Sequence, residues 1–192
     1  AIIKFTAEFD NVNLTKDQIK VSEWEIEEAY KLISEDFIDS LRIAKKNIEK
    51  FQSKQLNPLW FITTSPGIQV GQKYTPLESV GIYVPGGRAS YPSTVLMAAI
   101  PALVAGVKNV IICSPPNVNN NIDPSVIVAA KEVGVNSLFK VGGAQAIAAM
   151  AYGTETIPKV EKIVGPGNIY VNTAKLLVSK EVQIDTPAGP SE

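Results

Sequence analysis

The stretch VGIYVPGGRASYPSTVLMAAIP, Val80–Pro101, is the most informative part of the chain for its fold class. An apolar run, Val80–Val84, ends at Pro85-Gly86-Gly87, and an Ala-rich apolar run of helical character follows. A strand, a glycine turn and a helix in this order present backbone N–H groups and the positive end of a helix to a phosphate. The stretch contains neither GxGxxG nor the P-loop pattern GxxxxGK[ST]. It therefore predicts a ligand-binding loop of neither common type.

Two further loops of the chain have the same composition. KVGGAQ and IVGPGN, like YVPGGR, place two glycines between a predicted strand and a predicted helix. Loops of this kind in a parallel α/β sheet lie at the carboxyl edge of the strands, where ligands bind beside the switch point. Tight βα turns explain any one of these loops, but three together favour a binding site. We expect their polar rim residues to converge on one crevice: Tyr83, Gln145 and Asn168.

The chemistry of these rim residues restricts the ligand. Uncharged polar side chains suit a cofactor that is bound through hydrogen bonds better than they suit a bare triphosphate. In addition, no lysine follows the glycines to reach a γ-phosphate. The second predicted strand of the sheet ends in IICS, without the acidic residue that commonly holds a ribose. A dinucleotide site here would therefore differ from the common Rossmann kind.

The chain divides into two regions of different character. Residues 1–75 contain a capping box at Ser22 and Glu25, a helix with an apolar stripe, and two short strands separated by Pro66-Gly67. They predict a helical arm with a short β extension. Residues 76–192 alternate strands with helices, which predicts an α/β fold with a mostly parallel sheet and helices on both faces.

Composition excludes several classes of protein. Apolar residues make up 45% and charged residues 19% of the 192 positions, so the chain can bury a large core and is not of the disordered type. A net charge of −1 gives no electrostatic footprint for nucleic acid or an anionic membrane. No stretch reaches the roughly 20 apolar residues of a membrane span. The single cysteine excludes an internal disulfide and is compatible with a reducing cytoplasm.

Catalytic and metal-binding side chains are scarce. The chain contains no histidine, and one cysteine without histidine cannot build a zinc site of nitrogen and sulfur ligands. Cys113 ends a predicted strand, where a nucleophile could lie, but without a histidine base a buried structural thiol is the simpler interpretation. We therefore predict no catalytic and no metal-binding residue in this chain. It begins at Ala1 without methionine and stops in the turn-like PAGPSE, so we expect a piece of a longer protein.

Three long segments of the chain resemble histidinol dehydrogenase. They are GIYVPGGRASYPSTVLMAAIPALVAGVKNVIICSPP, VGGAQAIAAMAYGTETIPKVEKIVGPGNIYVNTAK and IDTPAGPSE, and the resemblance covers Pro66–Glu192. It implies an incomplete Rossmann-like domain that binds NAD, so the missing GxGxxG is expected. By motif position it implies NAD contacts at Tyr83 of IYVPGG, Gln145 of GGAQA and Asn168 of GPGN. It also implies a substrate contact at Ser191 of PAGPSE.

The resemblance implies an activity as well. Proteins of this family are zinc-dependent, cytoplasmic homodimers that oxidise L-histidinol to L-histidine through the aldehyde, with two NAD in succession. Their zinc ligands and their acid–base pair lie beyond PAGPSE, so we expect the chain alone to be inactive. Two alternatives remain open from the residues themselves. One is a nucleotide-binding module without chemistry, and the other is an NAD enzyme of the aldehyde dehydrogenase kind with Cys113 as nucleophile.

The helical arm also predicts self-association. Its longest helix carries an apolar stripe at steps of three and four residues, and exposed apolar patches of several hundred Å2 usually find a partner. The stripe consists of Phe37, Leu41, Ala44, Ile48 and Phe51. Both this pattern and the resemblance to a homodimeric family lead us to expect a dimer.

Overall fold

The structure, a computed structural model, describes residues 1–86 and 90–186. Within these ranges the chain forms helices and strands that alternate from the third strand onward. The helices are α1 (Ile2–Asp10), α2 (Glu23–Leu32), α3 (Glu35–Gln52), α4 (Pro92–Val104), α5 (Pro124–Val133), α6 (Gly143–Tyr152) and α7 (Ile169–Val178). The strands are β1 (Trp60–Ser65), β2 (Ile68–Gln72), β3 (Ser79–Tyr83), β4 (Asn109–Ser114), β5 (Ser137–Lys140), β6 (Lys162–Val164) and β7 (Gln183–Ile184).

Five of the strands form one parallel sheet. Their order across the sheet is β5-β4-β3-β6-β7, and every neighbouring pair is parallel. Counted in chain order within this sheet, the order is 3-2-1-4-5, as in the first five strands of a Rossmann fold. The order reverses between β3 and β6, which creates the switch point where ligands bind in such sheets. The predicted Rossmann-like fold with a mostly parallel sheet is thereby confirmed.

One face of the sheet carries two layers of helices. Helices α4 and α5 pack on side chains of alternate strand positions such as Val80 and Ile82, and α2 and α3 pack on α4 and α5. Polar contacts hold the outer layer as well, because the Glu132 carboxylate accepts hydrogen bonds from Tyr30 Oη (2.8 Å) and Arg42 Nε (3.0 Å). Because α3 packs on α4, most of the predicted apolar stripe on α3 is covered, although Phe51 stays exposed.

The opposite face carries α6 and α7, with α1 packed on α6. The intervening strand positions, among them Tyr83, Ile111 and Ile163, supply the sheet side of this second core. Helices on both faces, as predicted, remove the apolar strands from water and explain why the strands do not alternate between apolar and polar residues. The helical arm is thus divided, since α1 lies on one face while α2 and α3 lie on the other.

Local sequence signals place several helix ends. Ser22 and Glu25 form the predicted capping box at the start of α2, with the Glu25 carboxylate accepting from Ser22 N (2.9 Å) and Ser22 Oγ accepting from Glu25 N (3.3 Å). Asp123 caps α5 through a hydrogen bond from Ser125 N (2.9 Å). Gly134 ends α5 in the left-handed region, with φ of 92°, where a side chain would add strain. These ends position the loops that follow each strand.

The two edges of the sheet differ. The β5 edge is extended by Ile19–Val21, whose backbone exchanges hydrogen bonds with Leu138 and Lys140. The β7 edge ends in a strand of two residues. A separate antiparallel hairpin, β1–β2, turns at the predicted Pro66-Gly67 and is exposed along both strands.

Helix lengths bear on the question of membranes. In the two described ranges, no helix combines the length and the apolar character needed to cross a bilayer. The longest helix, α3, has 18 residues and an exposed charged face.

Candidate functional site

A cavity of about 960 Å3 lies at the carboxyl edge of the sheet. Loops that follow four of the parallel strands line it, together with the end of α1. The three residues predicted to converge all lie in its wall: Tyr83, Gln145 and Asn168. The geometric part of that prediction is confirmed, and their role as cofactor contacts stays a prediction.

Tyr83 is the fixed element of the cavity wall. It ends β3 and is buried, and its phenol oxygen accepts a hydrogen bond from Gly143 N (3.1 Å) at the start of α6. Burial raises the pKa of Tyr83 despite that hydrogen bond. The phenol therefore stays protonated at neutral pH, and its O–H can donate to a ligand.

The amide nitrogen of Gln145 has no partner in the part of the chain that the structure describes. Its Nε2 is buried and makes no hydrogen bond with any of the residues that the structure describes. A buried donor without an acceptor is costly, on the order of 1–3 kcal/mol. An acceptor supplied by a ligand would remove that cost.

Asn168 uses its side-chain oxygen to cap a helix, and its side-chain NH2 group is not needed for that cap. Its Oδ1 caps α7 by accepting from Val171 N (3.0 Å). The side chain is exposed, and its NH2 group remains available at the cavity rim. The two roles are compatible, since capping uses only the acceptor and ligand binding would use the donor.

The loop that carries Asn168 is held by a buried ion pair that sequence reasoning missed. Lys175 of α7 is buried, and its Nζ donates to the carbonyl of Gly165 and to Asp185 Oδ1 (2.5 Å). Asp185 directly follows β7. Asp185 Oδ2 in turn accepts from Gly165 N (2.8 Å). Gly165 has φ of 116°, and a Cβ there would overlap the carbonyl oxygen of Tyr83. Glycine and the ion pair together fix this loop against β3.

Asp10 is a second residue that the sequence did not single out. It is the last residue of α1, and it lines the cavity beside Tyr83 and Gln145. No motif in the sequence marks it, because its place depends on how α1 packs against α6 across the end of the sheet.

Cys113 is unsuited to nucleophilic chemistry. It lies in β4 within the core, fully buried, and burial raises its pKa to about 12. The reactive form of cysteine is the thiolate, which such a pKa makes scarce at neutral pH. The alternative of an aldehyde dehydrogenase with Cys113 as nucleophile is therefore disfavoured.

The donors for a metal are likewise few. Among residues 1–86 and 90–186, no group of three or more histidine, cysteine, aspartate or glutamate side chains could hold a metal ion. The chain as a whole has no histidine and one cysteine, a set that does not fit a zinc site. Ser191, predicted as a substrate contact, lies outside the described residues.

Comparison with known proteins assigns the family. A model of the histidinol dehydrogenase family matches residues 1–192. The chain belongs to the histidinol dehydrogenase family. The chain is 56% identical to a histidinol dehydrogenase of Oceanobacillus iheyensis over 192 residues and 53% identical to one of Methanosarcina mazei over 193. Each match covers 100% of this chain and 44% of the relative.

A solved structure agrees with the sequence matches. The crystal structure of histidinol dehydrogenase from Elizabethkingia anophelis superposes with a TM-score of 0.95 at 45% identity, over 99% of this chain and 44% of that one. The chain thus spans less than half the length of these relatives and corresponds to their N-terminal portion. The resemblance found in the three sequence segments is confirmed for the family and for its α/β fold.

Proposed function

We propose that this chain forms the NAD-binding part of a zinc-dependent histidinol dehydrogenase. The whole protein would oxidise L-histidinol to L-histidine through the aldehyde in the cytoplasm, with two NAD in succession. One observation carries the proposal: Tyr83, Gln145 and Asn168, from three glycine loops far apart in sequence, line one cavity at the switch-point edge of the sheet. Membership of the family gives the substrate class.

The donor groups in the cavity suit a dinucleotide. Tyr83 Oη, Gln145 Nε2 and the Asn168 amide can all donate, and phosphate and carboxamide oxygens are acceptors. The glycine turns let the backbone approach the ligand closely, and the starts of α6 and α7 add partial positive charge. NAD bound here would supply the hydride acceptor, and this chain's residues would hold and orient it.

The protein needs further groups for the reaction. Oxidation of an alcohol requires a base for the hydroxyl proton, and neither a histidine nor a metal-ligand cluster stands ready in the part of the chain that the structure describes. We assign the base and the zinc ligands to sequence that corresponds to the remaining part of the longer relatives. The 192-residue chain alone would then bind NAD and leave histidinol unoxidised.

A side-by-side assay tests this assignment. The 192-residue chain and the full-length protein that contains it are titrated with NAD+ by calorimetry and assayed for NADH formation with histidinol, NAD+ and zinc. We expect both to bind NAD+ and only the longer protein to form NADH. Turnover by the short chain at a comparable rate would place the catalytic groups within residues 1–192. Failure of both proteins to bind NAD+ would refute the cofactor assignment.

The proposed protein is a homodimer, and the hairpin β1–β2 offers apolar surface for it. Trp60, Phe61 and Ile62 on β1 are exposed, as are Ile68 and Val70 on β2. An isolated two-stranded hairpin is at best marginally stable in water, so a partner surface would stabilise it. Sedimentation equilibrium of the full-length protein should give the mass of a dimer. A monomer at high concentration would contradict the proposal.

A further inference from the structure

A carboxylate oxygen in the cavity has no hydrogen-bond partner among the residues that the structure describes. Asp10 Oδ2 is buried and makes no hydrogen bond to any of residues 1–86 and 90–186. Leaving a polar group buried and unpaired is unfavourable, and more so when the group is charged. Burial accordingly raises the pKa of Asp10.

The position of Asp10 in its helix adds to this cost. It is the last residue of α1, where the partial negative charge of the helix end disfavours a carboxylate. Asn11 follows in the left-handed region, with φ of 55°, and ends the helix without help from the Asp10 side chain. The fold of α1 therefore gives no reason for an aspartate at this position, and the cavity that it lines is the place to look for one.

Asp10 differs in chemistry from the other polar groups of the cavity. Tyr83, Gln145 and Asn168 offer donors, which suit phosphate and carboxamide oxygens. An ionised carboxylate only accepts, so it requires hydroxyl or amine groups on the ligand. A dinucleotide presents such donors on its ribose hydroxyls and on the NH2 groups of adenine and the carboxamide, and the ribose is the one that common Rossmann folds bind through a carboxylate.

The sheet lacks its usual group for that task. In common Rossmann folds an acidic residue after the second strand accepts from the ribose 2′-hydroxyl. Here the second strand of the sheet, β4, ends with Cys113 and Ser114. The described lining of the cavity contains two carboxylates, Asp10 and Asp123, but no lysine or arginine. The two carboxylates can accept from hydroxyls, and they repel an additional phosphate on the ribose.

We propose that Asp10 binds the diol of the adenosine ribose of the dinucleotide and excludes a 2′-phosphorylated ribose from the same place. In this proposal α1, which belongs to the N-terminal arm, supplies the carboxylate that binds the ribose. In common Rossmann folds that carboxylate follows the second strand. This assignment rests on the proposed function, because it takes NAD as the ligand of the cavity. It makes Asp10 a residue that selects NAD over NADP.

The test compares ligands that differ by one hydroxyl. The full-length protein is titrated calorimetrically with NAD+, with NADP+ and with two 2′-deoxy analogues of NAD+, one altered on the adenosine ribose and one on the nicotinamide ribose. In the unaltered protein we expect the analogue altered on the adenosine ribose to bind about tenfold to a hundredfold more weakly than NAD+, as for loss of a hydrogen bond to a charged group. A loss confined to the nicotinamide-ribose analogue would contradict the assignment, because only the adenosine ribose carries the 2′-phosphate of NADP+.

Two variants complete the cycle. Asp10→Ala should bind NAD+ about tenfold or more weakly and should no longer distinguish NAD+ from the affected analogue. Asp10→Asn keeps the shape and a neutral acceptor, so its affinity for NAD+ should lie between those of the unaltered protein and Asp10→Ala. Its preference for NAD+ over NADP+ should be smaller than that of the unaltered protein. Glu8→Ala, an exposed acidic position on the same helix, is the matched control and should bind like the unaltered protein.

The outcomes separate this inference from the proposed function. If the unaltered protein does not bind NAD+, the proposed function fails. If Asp10→Ala binds NAD+ as tightly as the unaltered protein does, Asp10 does not bind a ribose. The same holds if the unaltered protein and Asp10→Ala lose affinity for each analogue by the same factor. Urea unfolding of each variant shows whether weaker binding stems from a destabilised fold. Asp10→Asn keeps the volume of the side chain, so it should be as stable as the unaltered protein.

Discussion

Two buried lysines lie near opposite edges of the parallel sheet, Lys140 on β5 and Lys175 on α7 beside β7, and they have different surroundings. At the β5 edge, Lys140 pairs with Glu25 at the start of α2, so the contact joins the arm to the sheet. At the β7 edge, Lys175 pairs with Asp185 and also holds Gly165 in the loop that leads to Asn168. The first pair connects two layers of the core and lies away from the cavity. The second supports a loop that forms part of the cavity wall. We therefore expect the first pair to contribute to stability and the second to the shape of the cavity.

The largest expected effect comes from leaving Lys140 without its carboxylate. Glu25→Ala should lower the free energy of unfolding by about 3 kcal/mol, because it leaves a buried charge unpaired and removes the capping-box acceptor. Urea denaturation measures it. Glu27→Ala, an exposed position on the same helix, is the control and should change little. Equal effects of the two substitutions would show that the β5-edge pair contributes nothing to stability.

Breaking the pair at the other edge should affect binding more than stability. Lys175→Met removes the donor to Gly165 and Asp185, so the loop that carries Asn168 loses its support. We expect about tenfold weaker NAD+ binding, and a loss of unfolding free energy near 1 kcal/mol because Asp185 can turn toward water. Calorimetry and urea denaturation give the two values, with the exposed Lys180→Met as control. Unchanged affinity in a folded Lys175→Met protein would contradict a positioning role.

Acid should weaken the β5-edge pair gradually. Burial alone would raise the pKa of Glu25, but hydrogen bonds from Lys140 and Ser22 outweigh it, and the pKa lies below its ordinary value of 4.5. A lowered folded-state pKa means that the stability from this group is fully present above the unfolded-state pKa and is lost as pH falls through the folded one. The difference in unfolding free energy between the unaltered protein and Glu25→Gln should therefore shrink below about pH 4.5. A difference that grows in acid would reverse this sign.

The smallest effect on stability is expected when both charges of the β5 edge are replaced. The double variant Glu25→Leu with Lys140→Met should unfold within about 1 kcal/mol of the unaltered protein, because a hydrophobic pair avoids the desolvation of two ions. Its affinity for NAD+ should be unchanged. The analogous double variant, Lys175→Met with Asp185→Leu, should bind NAD+ more weakly than the unaltered protein. Both substitutions remove partners of the Gly165 backbone, so the loop that carries Asn168 stays unsupported. Equal binding by the two double variants would erase the distinction between the edges.

Local patterns in the sequence predicted the elements but not these edges. The capping box at Ser22, the turn at Pro66-Gly67 and the glycine that ends α5 are signals within four residues, and the structure has all three. The convergence of the three glycine loops also followed from the sequence, because parallel strands align their carboxyl ends. Lys175 and Asp185 are ten residues apart with no periodic relation, and Lys140 and Glu25 are 115 apart. Only the packing of α2 and α7 brings those charges together.

The helix α1 illustrates the same limit at the candidate site. Its sequence, IIKFTAEFD, carries no cap and no ligand motif, and the structure reports no side-chain cap at its start. Asp10 reaches the cavity because α1 packs on α6, a contact between residues more than a hundred positions apart. The prediction of an apolar stripe on α3 as an oligomer surface erred in a related way. Most of that stripe packs on α4, whereas β1 and β2 expose several apolar side chains.

The burial of Cys113 makes the chain convenient for optical labelling. Cys113 is the only cysteine in the sequence, it is fully buried in β4, and its thiol stays protonated at neutral pH. A maleimide dye would therefore react with a newly introduced cysteine and leave the native one untouched. Tyr170 lies at the cavity rim and is exposed, so Tyr170→Cys would place a single fluorophore where a bound dinucleotide changes its surroundings. Occupancy of the cavity could then be followed by fluorescence without a cysteine-free background.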